Sequence, residues 1–225
     1  MNTDSCLLGV LSVPKKTPQN ILDIGTGTGL LAMMLAQRFP SAQIEALELQ
    51  ENIYLQALSN IQNSIYSNRI AIKHIDFFNY VPESNFDLIV CNPPFFPEHK
   101  TSNSDEKYFA MHNHTLSLAP LFSQVVKILS MDGIFGIILP WEQEEYIVKL
   151  AAEKGLFIQT VTRIYSSPGK ASRVMIEFSH HQFEASFNEL ILKENGQNTE
   201  EFTRLMQDFY LENTEVYRRD RKTQN

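Results

Sequence analysis

Glycine stands at positions 25, 27 and 29, between the apolar run Asn20-Ile21-Leu22-Asp23-Ile24 and a stretch of strong helix formers from Leu30 to Arg38. A strand that turns through alternate glycines into a helix is a narrow prescription. The glycines permit positive φ in the turn and let a ligand approach the main chain, beside helix amides that point outward. Such a unit belongs to an α/β fold with a largely parallel sheet, and a nucleotide-like ligand is expected at the loop, bordered by Asp23, Gly25, Thr26, Gly27 and Gly29. The spacing is Gly-x-Gly-x-Gly, not the Gly-x-Gly-x-x-Gly of dinucleotide sites, so the loop alone does not name the ligand.

Three further apolar runs end in polar residues. Gln43 to Glu48 reads as a second strand, and Glu48 lies near the roughly 20-residue offset at which an acid accepts from ribose hydroxyls. Asn52 to Ser64 reads as a helix, Ile70 to Ile75 as a third strand, and Asp76-Phe77 follows it. Asp76 is placed to accept from an adenine amino group and Phe77 to pack on its ring; a strand-end cap followed by a core aromatic is the plainer alternative. A fourth strand, Phe86 to Val90, leads into Cys91-Asn92-Pro93-Pro94-Phe95-Phe96. Ligands of α/β folds sit across the carboxyl ends of the strands, so Asp23, Glu48, Asp76 and Asn92 are expected to converge.

The prolines of that hexapeptide exclude further strand pairing and an immediate helix, and Pro93 holds Asn92 extended. The Asn92 side-chain carbonyl and the Pro93 backbone carbonyl then form a rigid acceptor cluster, with aromatic faces on Phe95 and Phe96. A flat ring carrying an NH₂ group suits it. Locally, a proline-rich turn with two core phenylalanines would look the same. The stretch resembles the Asn-Pro-Pro-Phe/Tyr motif of S-adenosylmethionine-dependent methyltransferases that act on planar amino nitrogens.

Later segments complete the sheet. Leu116 to Met131 reads as an amphipathic helix stopped by Asp132-Gly133, Ile134 to Leu139 as a fifth strand, and Trp141 to Lys154 as a helix ended by Gly155. Leu156 to Tyr165 and Val174 to Phe178, joined through Ser166-Ser167-Pro168-Gly169, suggest an antiparallel addition. Phe187 to Leu192 reads as a strand, and Thr199 with Glu200 and Glu201 as a helix start. The chain has 225 residues, 43% of them hydrophobic, which suits one domain: residues 1–19 a helix and loop, 187–225 a strand and helix extension.

No apolar run approaches the roughly 20 residues of a bilayer span, and Met1-Asn2-Thr3-Asp4 lacks the basic start of a signal peptide, so a cytoplasmic protein is expected. Cys6 and Cys91 offer neither metal spacing nor a disulfide framework. His99, His112 and His114 read as loop residues, with the last two on different helix faces, and no metal site is expected. The net charge of −7 argues against a broad nucleic-acid footprint, although Arg163, Lys170 and Arg173 fall close together and Arg218, Arg219, Arg221 and Lys222 crowd the carboxyl end. The oligomeric state is left open, a monomer being the simpler expectation.

Taken in order, the chain is similar to the bacterial tRNA(Val) N6-adenine methyltransferases, which modify the adenine 3′ of the anticodon. The match is carried by Thr3-Asp4-Ser5-Cys6-Leu7-Leu8-Gly9, by Leu22 to Leu31, by Asn92 to Phe96 and by Thr199 to Leu211. The resemblance implies a Rossmann-like class I methyltransferase with a mostly parallel seven-stranded sheet, its last strand antiparallel, and helices on both faces. It implies S-adenosyl-L-methionine as cofactor and a tRNA substrate. Asp23, Gly25, Gly27 and Gly29 would border the methionine moiety, Glu48 the ribose, and Asp76 with Phe77 the adenine; Asn92, Pro93 and Phe95 would hold the target base. The family is expected to carry a further basic and aromatic segment ahead of the Thr-Asp stretch, whereas this sequence begins two residues before Thr3. Transfer to another planar amine, such as an rRNA guanine or a release-factor glutamine, and a cofactor-binding fold without turnover are the alternatives. A nicotinamide dehydrogenase would leave the proline motif unexplained.

Overall fold

The structure, a computed structural model, describes residues 3–93 and 117–209. Helix α1 (Thr3–Leu11) precedes β1 (Asn20–Ile24), α2 (Leu30–Arg38), β2 (Gln43–Glu48), α3 (Glu51–Gln62), β3 (Ile70–His74) and β4 (Phe86–Cys91). Then come α4 (Leu118–Ile128), β5 (Leu129–Pro140), α5 (Glu144–Glu153), β6 (Phe157–Ser167), β7 (Lys170–Ser179), β8 (Ser186–Ile191), the short pair β9 (Lys193–Glu194) and β10 (Gln197–Asn198), and α6 (Glu200–Met206). Among the described residues no helix is long and apolar enough to cross a membrane.

The central strands are apolar because both of their faces are covered. In β4, Leu88 and Val90 point into one core with Ile21, Ile44 and Leu8, while Ile89 and Cys91 point into a second core with Leu22, Leu47 and Phe135. Residues of α1, α2, α3 and α6 line the first core, and those of α4 and α5 the second. Phe122, Phe135 and Phe178 anchor the second core, Phe122 meeting the other two edge to face at centroid separations of 5.2 and 5.5 Å.

The sheet runs β3-β2-β1-β4-β5-β7-β6-β8. β7 is antiparallel to both β5 and β6, and the other neighbours are parallel. The Rossmann-like seven-stranded sheet with an antiparallel seventh strand is therefore present. The segment expected as an extra strand joins it as an eighth, parallel to β6, pairing Val161 with Phe187 and Ile164 with Leu190. Thr199 caps α6 as expected, its hydroxyl accepting from the Phe202 amide at 3.2 Å. Strand order reverses between β1 and β4, the point at which α/β sheets take ligands across the carboxyl ends of their strands.

The helix expected from Trp141 begins at Glu144 after a 3-10 turn, the strand expected over Val174 to Phe178 runs Lys170–Ser179, and the boundary with most structural meaning is the start of β5. The helix predicted to reach Met131 ends at Ile128, and Asp132-Gly133 lies inside β5. Pairing with β4 slips from Phe86–Leu129 to Leu88–Ile134, so the intervening residues bulge. A Cβ on Gly133 would sit 2.8 Å from the Phe86 carbonyl oxygen and 2.9 Å from that of Ser130. Gly133 is thus required by close backbone approach within the sheet, not by a helix stop. Gly133→Ala should destabilise the protein by roughly 1–3 kcal/mol, a fall of about 2–4 °C in Tm per kcal/mol for a chain of this size. Calorimetric unfolding of the variant checks this, and an unchanged Tm would show that the bulge relaxes freely.

Candidate active site

The glycine loop crosses the carboxyl ends of β1 and β2. Gly25, Gly27 and Gly29 have φ of 69°, 60° and 82°, all in the left-handed region. A Cβ at Gly25 or Gly27 would meet nothing within 4 Å, whereas one at Gly29 would lie 3.2 Å from the Ile61 side chain. The first two glycines therefore leave open space over the main chain, and the third lets α3 pack close.

Hydrogen bonds set the loop before any ligand is considered. The Thr26 amide donates to the Leu47 carbonyl at 2.9 Å and the Thr26 hydroxyl to Asp23 Oδ2 at 2.6 Å. Glu48 receives the Gly27 amide on Oε2 at 3.0 Å and the Gln50 amide on Oε1 at 2.9 Å. The loop, β1 and β2 thus share one network.

Asp23 is 1% exposed. Burial pushes its carboxyl up to about 7, although hydrogen bonds from Thr26 and the Ala32 amide pull it down; the charge on Glu48 adds to the rise. Cys91, fully buried beside it, has its thiol pushed far up by burial and then by Asp23, so it stays neutral and serves as core.

Asp76 and Phe77 follow β3. Asp76 Oδ1 accepts from the Phe78 amide at 2.9 Å and caps the 3-10 turn Phe77–Asn79. Phe77 is 3% exposed and packs in the second core, while the neighbouring Phe78 carries the exposed ring, 37% accessible, at a centroid separation of 5.7 Å.

Asn92 is half-buried at the end of β4, and Pro93 is buried behind it. The Asn92 Nδ2 donates to Ser5 Oγ of α1 at 3.0 Å. Phe95 and Phe96 lie outside the described residues, as do His99, His112 and His114. Among the described residues no group of His, Cys, Asp and Glu could hold a metal ion. Asp23, Glu48 and Asn92 thus gather at the ends of the adjacent strands β1, β2 and β4, and Asp76 lies just past the end of β3. Sequence reasoning missed Ser5, whose only signal was its place in the Thr3–Gly9 stretch.

Comparison with known proteins bears on this geometry. The profile of the methyltransferase small domain matches residues 3–117. A tRNA1(Val) (adenine(37)-N6)-methyltransferase from Flavobacterium psychrophilum is 37% identical over 215 residues, covering 94% of this chain and 92% of that protein. The chain belongs to this methyltransferase family. Among solved structures, that of a predicted O-methyltransferase from Agrobacterium tumefaciens aligns with a TM-score of 0.65 at 20% identity, covering 90% of this chain and 94% of that one. The glycopeptide N-methyltransferase MtfA complexed with S-adenosyl-L-methionine aligns with a TM-score of 0.58 at 13% identity, covering 80% of this chain and 87% of that one. Both show the fold, and in this methyltransferase the crevice of that fold is the one bounded by the glycine loop and Asn92.

The environment of Asp23 has a measurable consequence. Its carboxyl is raised in the fold from 3.8 to about 7, so between these values the folded protein holds a proton that the unfolded chain has lost. The resulting stability is full below about pH 4 and is lost as the pH rises through about 7. Asp23→Asn should flatten this part of the fall in Tm with rising pH, as thermal unfolding of both proteins across that window would show.

Proposed function

We propose that the chain transfers a methyl group from S-adenosyl-L-methionine to N6 of adenine 37 in tRNA1(Val). The observation that carries this reading is the acceptor pair at Asn92 and Pro93, one strand away from the glycine loop, in a chain that matches the curated methyltransferase over 94% of its length.

The residues present suit the cofactor. Open space over Gly25 and Gly27 admits a ligand to the main chain, the Glu48 side chain suits hydroxyl donors, and a ligand ammonium group would draw the Asp23 carboxyl toward its ionised form. Asp23, Gly25, Thr26, Gly27 and Gly29 would border the methionine moiety. Each Glu48 oxygen already accepts one amide and keeps a lone pair for a ribose hydroxyl. Asp76 would accept from the adenine amino group, with Phe77 backing that site from the core. When bound, the cofactor supplies an electrophilic methyl group on sulfonium sulfur.

The exocyclic nitrogen of adenine is a poor nucleophile because its lone pair is delocalised into the ring. Asn92 Oδ1 and the Pro93 carbonyl oxygen accept from its two N–H groups, which favours a pyramidal nitrogen and directs the lone pair. Nitrogen gains the methyl carbon as the sulfur–carbon bond breaks, and the surplus proton leaves the nitrogen for water. Extruding the base from its stack costs a few kcal/mol, of which stacking on Phe95 and Phe96 would return roughly 1–3 kcal/mol per base. We take the chain to act in the cytoplasm as one methyltransferase domain spanning residues 1–225.

Methyl incorporation into purified tRNA, rRNA and protein fractions tests the substrate, and label is expected in tRNA alone. Asn92→Ala should lower the methylation rate by roughly 10²–10³-fold, the scale of a lost contact to a reacting centre, with a smaller loss of cofactor affinity by calorimetry. Unchanged rate and affinity together would sink the account.

A further inference from the structure

The two ends of the Asn92 amide are chemical opposites. Oδ1 accepts from an amino N–H, whereas Nδ2 carries hydrogens and would oppose it donor to donor. The prolines of the loop hold the Asn92 backbone but do not select which end faces the crevice, because the amide torsion is broad and roughly two-fold. A hydrogen-bond partner elsewhere in the chain can hold the amide in one of these two orientations.

That partner comes from α1. Ser5 Oγ receives the hydrogen bond from Asn92 Nδ2 at 3.0 Å, across 87 residues of sequence. A hydroxyl can accept from Nδ2 or donate to Oδ1; in the structure it accepts from Nδ2, which leaves Oδ1 to meet an incoming N–H.

The helix that carries Ser5 is held at both ends. Asp4, beside it in the first turn, receives Arg173 Nε of β7 at 2.9 Å, an ion pair with side chains 13% and 30% exposed. At the other end, Arg38 of α2 donates to the carbonyls of Gly9 and Ser12 at 2.5 and 2.8 Å. Between them Leu7 and Leu8 are buried, and Gly9 lets Met34 and Leu31 approach so closely that a Cβ would fall 3.1 and 3.2 Å from them. Ser5 is therefore presented by a rigid element, as a group that orients a reacting side chain requires.

We propose that Ser5 is a positioning residue for methyl transfer: it ties down Nδ2 of Asn92 so that Oδ1 faces the acceptor nitrogen. The inference rests on the reading of Asn92 as the acceptor of the substrate amino group. Ser5 itself touches neither substrate nor cofactor in this assignment, so its loss acts on kcat through Asn92.

The test is a double-mutant cycle on methylation of tRNA1(Val) transcript by the full chain. Ser5→Ala is expected to lower kcat roughly tenfold, the scale of one lost hydrogen bond at a half-buried amide, with KM for tRNA and Kd for S-adenosyl-L-methionine changed less than about twofold. Ser5→Thr, which keeps the hydroxyl, should recover most of the rate. In the Asn92→Ala background, Ser5→Ala should cost less than about twofold, because the group it positions is gone. A role of α1 in folding or in RNA contact would instead lower the rate equally in both backgrounds, which would overturn the inference, as would a Ser5→Ala protein with wild-type kcat. Wild-type turnover by Asn92→Ala alone would instead overturn the reading of Asn92, so the two failures are separate measurements.

Discussion

The hydrogen bond from the Gly27 amide to Glu48 joins the loop after one strand to the end of the next, and the architecture of the crevice depends on it. A glycine-rich loop has the most conformational entropy to lose on ordering. Here the loss is met within the fold: Glu48 takes Gly27 and Gln50, the Leu47 carbonyl takes Thr26, and Thr26 in turn serves Asp23. A ligand arriving over Gly25 and Gly27 therefore meets a preorganised main chain.

The buried position of Asp23 belongs to the same arrangement. It lies at the end of β1 between the strands that carry Glu48 and Cys91, in a region dry enough to lift its carboxyl to about 7 and to keep the Cys91 thiol neutral. The sheet confers this dryness through its two apolar faces, so the electrostatics of the crevice are a product of core packing. Charged ligands are felt more strongly in such a setting than at a solvated surface.

What could be read from the sequence was what is local. The glycine loop and the first four strands show their character within a few residues, and their polar ends lie where an α/β topology carries them. The start of β5 was hidden because Leu129-Ser130-Met131 continues the apolar pattern of α4, and Asp132-Gly133 imitates a helix stop; the carbonyls of Phe86 and Ser130, 2.8 and 2.9 Å from where a Cβ would be, give that glycine its meaning. Phe77 and Phe78 are chemically alike, and the 3-10 turn capped by Asp76 decides which one is buried. The pairing of β8 with β6 and the bond between Ser5 and Asn92 join distant segments, and no periodicity announces such contacts. Phe95 and Phe96 remain a reading of the motif.

The anchoring of α1 bears on how the chain is made. Its partners lie far along the chain, Asn92 following Ser5 by 87 residues and Arg173 following Asp4 by 169. Synthesis proceeds at about 5–20 residues per second, so several seconds pass before β7 is complete. Through that interval Leu7 and Leu8 have no finished sheet to cover, and the earliest lasting partner is Arg38 of α2, which reaches back only 29 residues to Gly9. Until β7 is made, α1 is sheltered by α2 and by the strands already synthesised, Ile21 of β1 and Ile44 of β2 among them, and the contact between Asp4 and Arg173 that fixes its first turn closes only afterwards.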